Sequence, residues 1–403
     1  MLPFMQTFIR VLAVGVIALI SYLGLKSEPT PIVYENKEPP ATSSKARTQN
    51  PATTTPVSNI SKASTTTTPS APTKLPQLKP TPSLINPPEN KGRLEITVSQ
   101  NLAPIAQNIL PQPSSLNELN DEVRATVVNI LCTTISGGTL KPITGSGVII
   151  DKRGVILTNA HIAQYFLLRD FPVKNNVDCI IRTGSPAYPK YRASLLFISP
   201  AWIEANHKNI VEQNPLGTGE NDFGLLLIDS VVDPNAILPS SFPDLAPNTE
   251  EMLELSVAND TYVVAGYPAG FLGGIAVIKD LFVSSTVAHS QKVYTFKENS
   301  VDLISLGGSV LAQKGASGGA VVRQSDKKLV GIIVTTTEEK TTGERDLRAV
   351  TTTHINRSLY ASANISLPEL LLKSNLTAVV AEFQVKMFPQ LKAILVNDLT
   401  TQN

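Results

Sequence analysis

At 403 residues, 42% of them hydrophobic, the chain is long enough for two or three domains with a sizeable core. A formal net charge of +1, with no clustered basic stretch, argues against a dedicated nucleic-acid binder, since neutralising phosphates takes concentrated Lys and Arg. Two cysteines, Cys132 and Cys179, lie outside any Cys-x-x-Cys or metal-ligand spacing, so neither a metal nor a cofactor is expected.

In chain order, residues 8–25 (FIRVLAVGVIALISYLGL) form an apolar run interrupted by Arg10, close to the ~20 residues that a spanning helix needs. No small-x-small cleavage site follows, which favours an uncleaved membrane anchor over residues 1–27 rather than a removed signal sequence. Arg10 and the terminal amine predict that the amino terminus stays inside. The expectation is therefore a single-pass membrane protein with an extracytoplasmic domain, a secreted form being the alternative. Residues 28–95, rich in Thr, Pro, Ser, Ala and Lys, have no apolar period to bury and read as a disordered stalk. A lead-in segment, 96–122, follows.

Short apolar or alternating runs at 125–132, 146–150, 155–158, 177–182, 191–198 and 223–228 then suggest a first β-barrel over 123–230. A proline-bearing linker, 231–254, precedes a second group of strands at 261–266, 281–288, 292–296, 301–306, 319–323, 329–335 and 347–353, placing a second barrel over 255–357. In the remainder, 358–403, Ser366-Leu367-Pro368-Glu369 has the form of a capping box, and one helix is expected to run to about Met387. It should pack on the barrels, because Glu382 and several lysines interrupt its apolar character. Cys132 and Cys179 are either two buried thiols or, if the domain lies outside the cytoplasm, one disulfide closing a loop of roughly 50 residues that contains His161.

The stretch Gly315-Ala316-Ser317-Gly318-Gly319 is the clearest chemical signal. A serine hydroxyl is a weak nucleophile and needs an adjacent base, and the anion formed after its attack needs donors. The flanking glycines allow the N–H groups of Gly315 and Ser317 to converge on one point. His161 follows an apolar run (Leu157-Thr158-Asn159-Ala160-His161), and Asp222 precedes one (Asn221-Asp222-Phe223-Gly224-Leu225). His161, Asp222 and Ser317 are thus the candidate base, orienting acid and nucleophile. The order Ser, acid, His of α/β-hydrolases is not met, and a strand rather than a helix is expected after the serine.

Together with Gly145-Ser146-Gly147-Val148-Ile149-Ile150 and Ala265-Gly266-Tyr267-Pro268, these motifs resemble the trypsin-like serine proteases, in particular the bacterial Deg or high-temperature-requirement branch. The resemblance covers about residues 123–355. It implies an all-β fold of two six-stranded antiparallel β-barrels with the site between them, an oxyanion hole of Gly315 and Ser317, and hydrolysis of protein or peptide substrates through an acyl-enzyme. Leu311 would lie at the floor of the substrate pocket and Thr335, Thr336 and Thr337 along a wall, an uncharged lining suited to small or medium aliphatic side chains. Ala316 stands where many relatives carry the aspartate that pairs with a freed amino terminus, so activation of that kind is not expected. The roughly 45 residues beyond Ile355 are too few for the peptide-binding PDZ domain that Deg relatives usually add. The competing reading is a catalytically idle protease-like domain displayed on a stalk. The oligomeric state is not legible.

Overall fold

The computed structural model describes residues 30–31, 115–135, 140–212, 217–252, 254–296, 300–336, 341 and 343–401. Apart from Thr30 and Pro31, the expected anchor and stalk lie outside the described residues. Among the described residues no helix is long and apolar enough to cross a membrane. Thr30–Pro31 forms a short strand, β1.

The main body starts with a helix where the sequence reading had placed only a lead-in. Ser115 Oγ accepts the Glu118 N–H, and the Glu118 carboxylate accepts the Ser115 N–H, a capping box that opens α1 (Leu116–Thr126). Leu119 and Val123, four residues apart and so on one face, are fully buried. The β-branched pair Val127-Val128 then carries the chain into β2 (Val127–Thr134).

Five further strands complete a closed barrel with β2: β3 (Ile143–Asp151), β4 (Val155–Thr158), β5 (Val177–Thr183), β6 (Tyr188–Ile198) and β7 (Gly224–Val231), in ring order β2-β3-β4-β7-β6-β5. The β3–β4 hairpin turns where it does because Gly154 adopts φ 88° and donates to the Asp151 carbonyl, while Asp151 Oδ1 accepts the Arg153 N–H. Cys132 and Cys179 stand opposite each other on β2 and β5 and are joined in a disulfide across 47 residues of sequence. Of the two readings left open for the cysteines, the structure contains the bonded one.

The proline-bearing stretch after β7 is a packed crossover. Phe242 and Leu245 donate their N–H groups to Lys152 and Ile149 and bury their side chains in the barrel core. Asn248 N–H then donates to Leu329 in the second lobe.

That lobe is a half-barrel, consistent with the expected double-barrel fold, and its sheet does not close among the described residues. Its strands β8 (Thr261–Gly266), β9 (Ser284–His289), β10 (Lys292–Thr295), β11 (Leu303–Ser305), β12 (Ala320–Arg323), β13 (Leu329–Thr336) and β14 (Leu347–Thr351) join β1 in an open eight-stranded sheet, ordered β1-β10-β11-β14-β13-β12-β8-β9. Among the described residues β9 pairs with β8 over its whole length and forms one edge of the sheet, with β1 at the other. Chain reversal within the sheet still brings buried Val264, Ile304, Val321, Ile333 and Ala349 into one core.

Beyond β14 the chain forms four helices, α6 (Thr352–Ala363), α7 (Leu367–Leu372), α8 (Leu376–Lys386) and α9 (Phe388–Thr401), if the short helices between β4 and β9 are numbered α2 (Ala160–Ala163), α3 (Pro200–Asn206), α4 (Glu254–Asn259) and α5 (Gly274–Lys279). The single helix expected from Ser366 is broken after Leu372, because Asn375 Oδ1 accepts the Ala378 N–H and caps a new start. α8 ends at Lys386, close to the expected Met387, and Pro389 sits in the first turn of α9, where its missing N–H costs nothing. As expected, this region packs on the first barrel. Phe383 lies against Phe197 at a ring separation of 6.4 Å, Arg153 donates to the Lys373 carbonyl at 2.6 Å, and Asp398 pairs with His207.

Candidate active site

Four consecutive buried residues of β4 aim the chain into the interior, and Asn159, extended at φ -78° and ψ 153°, turns it into α2. His161 therefore leaves the barrel at the first turn of α2 with its side chain partly exposed. Asp222 arrives from the other direction, on the turn before β7. Asn221 adopts φ 58°, a left-handed conformation that asparagine tolerates better than most residues. The turn closes with Asp222 N–H donating to Gly219 and Phe223 N–H to Asn221.

The two side chains meet. Asp222 Oδ2 lies 2.8 Å from His161 Nδ1, and Oδ1 accepts the His161 backbone N–H at 3.0 Å. Asn159 Nδ2 adds a bond of 3.0 Å to the Asp222 carbonyl. A buried carboxylate can only accept, so the proton belongs on Nδ1 and the lone pair on Nε2, the nitrogen available to a substrate or nucleophile. Gln164 Nε2 holds the His161 carbonyl at 2.9 Å, fixing the other end of the same turn.

Ser317 sits in the loop entering β12. Gly315 at φ 91° and Gly318 at φ 84° have backbone conformations that side chains disfavour, and the space is closed as well. A Cβ on Gly315 would meet the Tyr267 carbonyl at 2.6 Å, and one on Gly318 the Ser146 carbonyl at 2.0 Å. Ser317 is tied to the His161 barrel through its backbone: Ser146 N–H, on β3, donates to the Ser317 carbonyl at 2.7 Å. Thr158, three residues before His161, donates its hydroxyl to the Ser146 carbonyl at 2.7 Å. Among the described residues the Ser317 hydroxyl makes no hydrogen bond to the imidazole, and the N–H groups of Gly315 and Ser317 are not spent on other acceptors. Catalytic contacts of this kind often tighten only when substrate is bound.

Leu311 is fully buried in the core of the second lobe, Thr335 and Thr336 end β13, and Thr337 lies outside the described residues. Around the site, burial and the nearby Asp302 carboxylate push the Glu220 carboxyl up, with His354 opposing them. Burial pushes the Tyr267 phenol up to about 12. Sequence reasoning had not assigned individual roles to Ser146, Asn159, Asn221 or Tyr267. Ser146 was visible as the middle of a Gly-Ser-Gly triplet, a spacing that hints at close backbone approach but not at what approaches.

Residues 145–332 match the family model described as a trypsin-like peptidase domain. This segment is a trypsin-like peptidase domain. The peptidase domain makes the chain a serine endopeptidase, within the hydrolases. Among solved structures, the chain is similar to a serine endoprotease from Yersinia pestis, at 19% identity and a TM-score of 0.37, over 63% of this chain and 68% of that one. It is also similar to Deg5, at 14% identity and 0.39, over 62% and 94% of the two chains. The Rv3671c protease from M. tuberculosis, in its active form, aligns at 16% identity and 0.38, over 61% and 85%. No curated protein matches the chain.

Proposed function

We propose that the peptidase domain cleaves peptide bonds through Ser317, His161 and Asp222 by way of an acyl-enzyme. His161 Nε2 takes the Ser317 proton as Oγ bonds to the scissile carbonyl carbon. The same proton passes to the leaving amine as the C–N bond breaks, and water, deprotonated by His161, then releases the acyl group. Asp222 holds the required tautomer and stabilises the imidazolium, and the Gly315 and Ser317 N–H groups receive the oxyanion. The observation that carries this reading is the double grip of Asp222 on His161, at Nδ1 and at the backbone N–H.

The substrates are exported or unfolded proteins, the domain being tethered by residues 1–27 and held away from the bilayer by the stalk of 28–95. The apolar run at 8–25 and the composition of the stalk support this placement. Leu311, Thr335, Thr336 and Thr337 favour a small or medium aliphatic residue before the scissile bond, and a peptide-library profile dominated by Lys or Arg refutes that preference.

A fluorophosphonate probe tests the nucleophile. It labels the wild-type protein and leaves Ser317→Ala unlabelled; a folded wild-type sample that takes no label points instead to a catalytically idle domain.

A further inference from the structure

Ser146 joins the segment that carries Ser317 to the barrel that carries His161. It is fully buried, and all its polar groups are engaged. Its N–H donates to the Ser317 carbonyl at 2.7 Å, and its hydroxyl donates to the Gly315 carbonyl at 2.8 Å. That hydroxyl also accepts the Tyr267 N–H at 2.9 Å, and the Ser146 carbonyl accepts the Thr158 hydroxyl at 2.7 Å.

The consequence lies in the peptide planes. In a trans peptide the C=O and the N–H of the next residue point in opposite directions, so fixing a carbonyl aims the following N–H. Four successive carbonyls around the nucleophile have assigned donors: Lys314 from Ala269 N–H, Gly315 from Ser146 Oγ, Ala316 from Gly319 N–H, and Ser317 from Ser146 N–H. Fixing the Lys314 and Ala316 carbonyls sets the directions of the Gly315 and Ser317 N–H groups, each opposite to the carbonyl before it. The intervening Gly315–Ala316 peptide, the hinge between those two donors, has its carbonyl held by the Ser146 hydroxyl. The other edge of that peptide, the Ala316 N–H, donates to the Gln313 carbonyl at 3.3 Å, so of the two bonds that set its orientation the shorter is the one from Ser146.

We infer that the Ser146 side chain is a positioning residue for the oxyanion hole: it locks the Gly315–Ala316 peptide and, through Tyr267, the neighbouring loop. This inference rests on the reading of Ser317 as nucleophile. Loss of the hydroxyl leaves the Gly315 carbonyl and the Tyr267 N–H without a buried partner and the hinge peptide held only by the longer Gln313 bond, while the His161–Asp222 pair, on separate bonds, is untouched.

The test compares catalysis with binding of a tetrahedral mimic. Full-length wild-type protein, Ser146→Ala and Ser146→Cys are assayed on an aliphatic peptide p-nitroanilide, with an aliphatic peptide boronate as the mimic and the product peptide acid as a ground-state ligand. A misaligned donor should cost Ser146→Ala about ten- to a hundredfold in kcat. Boronate affinity should fall in the same proportion, with KM and product affinity within about twofold, because the donors act on the tetrahedral species. Ser146→Cys, with a weak donor of similar shape, should fall between. A folded Ser146→Ala whose kcat stays within about twofold of wild type overturns the inference, as does a loss of kcat with boronate affinity unchanged. If the alanine variant does not fold, unaltered boronate affinity in Ser146→Cys overturns it. A wild-type protein that neither turns over nor binds the boronate overturns the Ser317 reading, and this inference with it.

Discussion

Ser358 Oγ donates to Asn221 Oδ1 at 2.6 Å, joining α6, the helix that follows the second sheet, to the residue immediately before Asp222. The acid of the dyad thus belongs to one lobe by sequence and is steadied by the other. Because Asn221 is left-handed at φ 58°, the bond also anchors a turn that few side chains would form unaided.

Asn221→Ala and Asn221→Gly separate these contributions. Alanine loses the bond and incurs left-handed strain, so it should destabilise the domain by about 1–2 kcal/mol more than glycine, which loses the bond alone. Denaturant unfolding of both variants beside Ser358→Ala measures the difference. Equal midpoints for the alanine and glycine variants would show that the turn is not strained.

Asp222→Asn preserves shape but offers an amide where the imidazole needs an acceptor. A ring held in the wrong tautomer should lower kcat about ten-thousandfold, with KM little changed. Steady-state kinetics on the p-nitroanilide reads this directly. A loss below about tenfold would mean that the carboxylate does not set the tautomer.

The Cys132–Cys179 bond closes a loop that contains His161, its ends 47 positions apart in sequence. In the chain-entropy account, replacing both cysteines by alanine should cost about 3–4 kcal/mol. Equilibrium unfolding of the double variant, and of wild type with and without reductant, provides the check. A wild-type midpoint indifferent to reductant contradicts the bond.

Asp302 supplies the pH dependence. Burial by itself would raise its carboxyl, but hydrogen bonds from His354, Ser300 and the Phe296 N–H prevail and hold it well below the ordinary carboxylate range. A carboxyl depressed in the folded state contributes stability above its unfolded pKa of about 4, and that contribution is lost progressively as pH falls towards the folded value. Asp302→Asn should therefore be about 2–3 kcal/mol less stable than wild type at pH 7, with the gap narrowing below about pH 4. Parallel unfolding curves at neutral and acidic pH test the sign. A gap that widens on acidification would reverse it.

The first barrel was legible because its strands are short apolar or alternating runs separated by turn residues, as at Asp151–Gly154 between β3 and β4. Helix α1 was missed although Ser115 and Glu118 announce it, because the strand pattern beginning at Ala125 overshadowed a capping box that lies before the expected barrel boundary. In the second lobe the strands were legible but the state of the sheet's edges was not. Period-two patterning reports that a segment is a strand, not whether its outer edge finds a partner, and among the described residues β9 pairs with β8 alone. In the C-terminal region the capping box at Ser366 was visible, but the restart at Asn375 competed with an unbroken apolar run and was passed over.

From residue identities and their order came His161, Asp222 and Ser317 as candidates and the glycines around the serine, because nucleophilic chemistry restricts which side chains can serve and which backbones can approach so closely. Tertiary structure decided that Asp222 holds His161 at two atoms, that the cysteines are bonded, that the second sheet stays open, and that a buried Ser146 ties together the carbonyls around the nucleophile. The Asp222–His161 and Ser146–Gly315 bonds join residues 61 and 169 positions apart, and a local pattern cannot express them, since a donor's partner is chosen by packing in space and not by spacing along the chain.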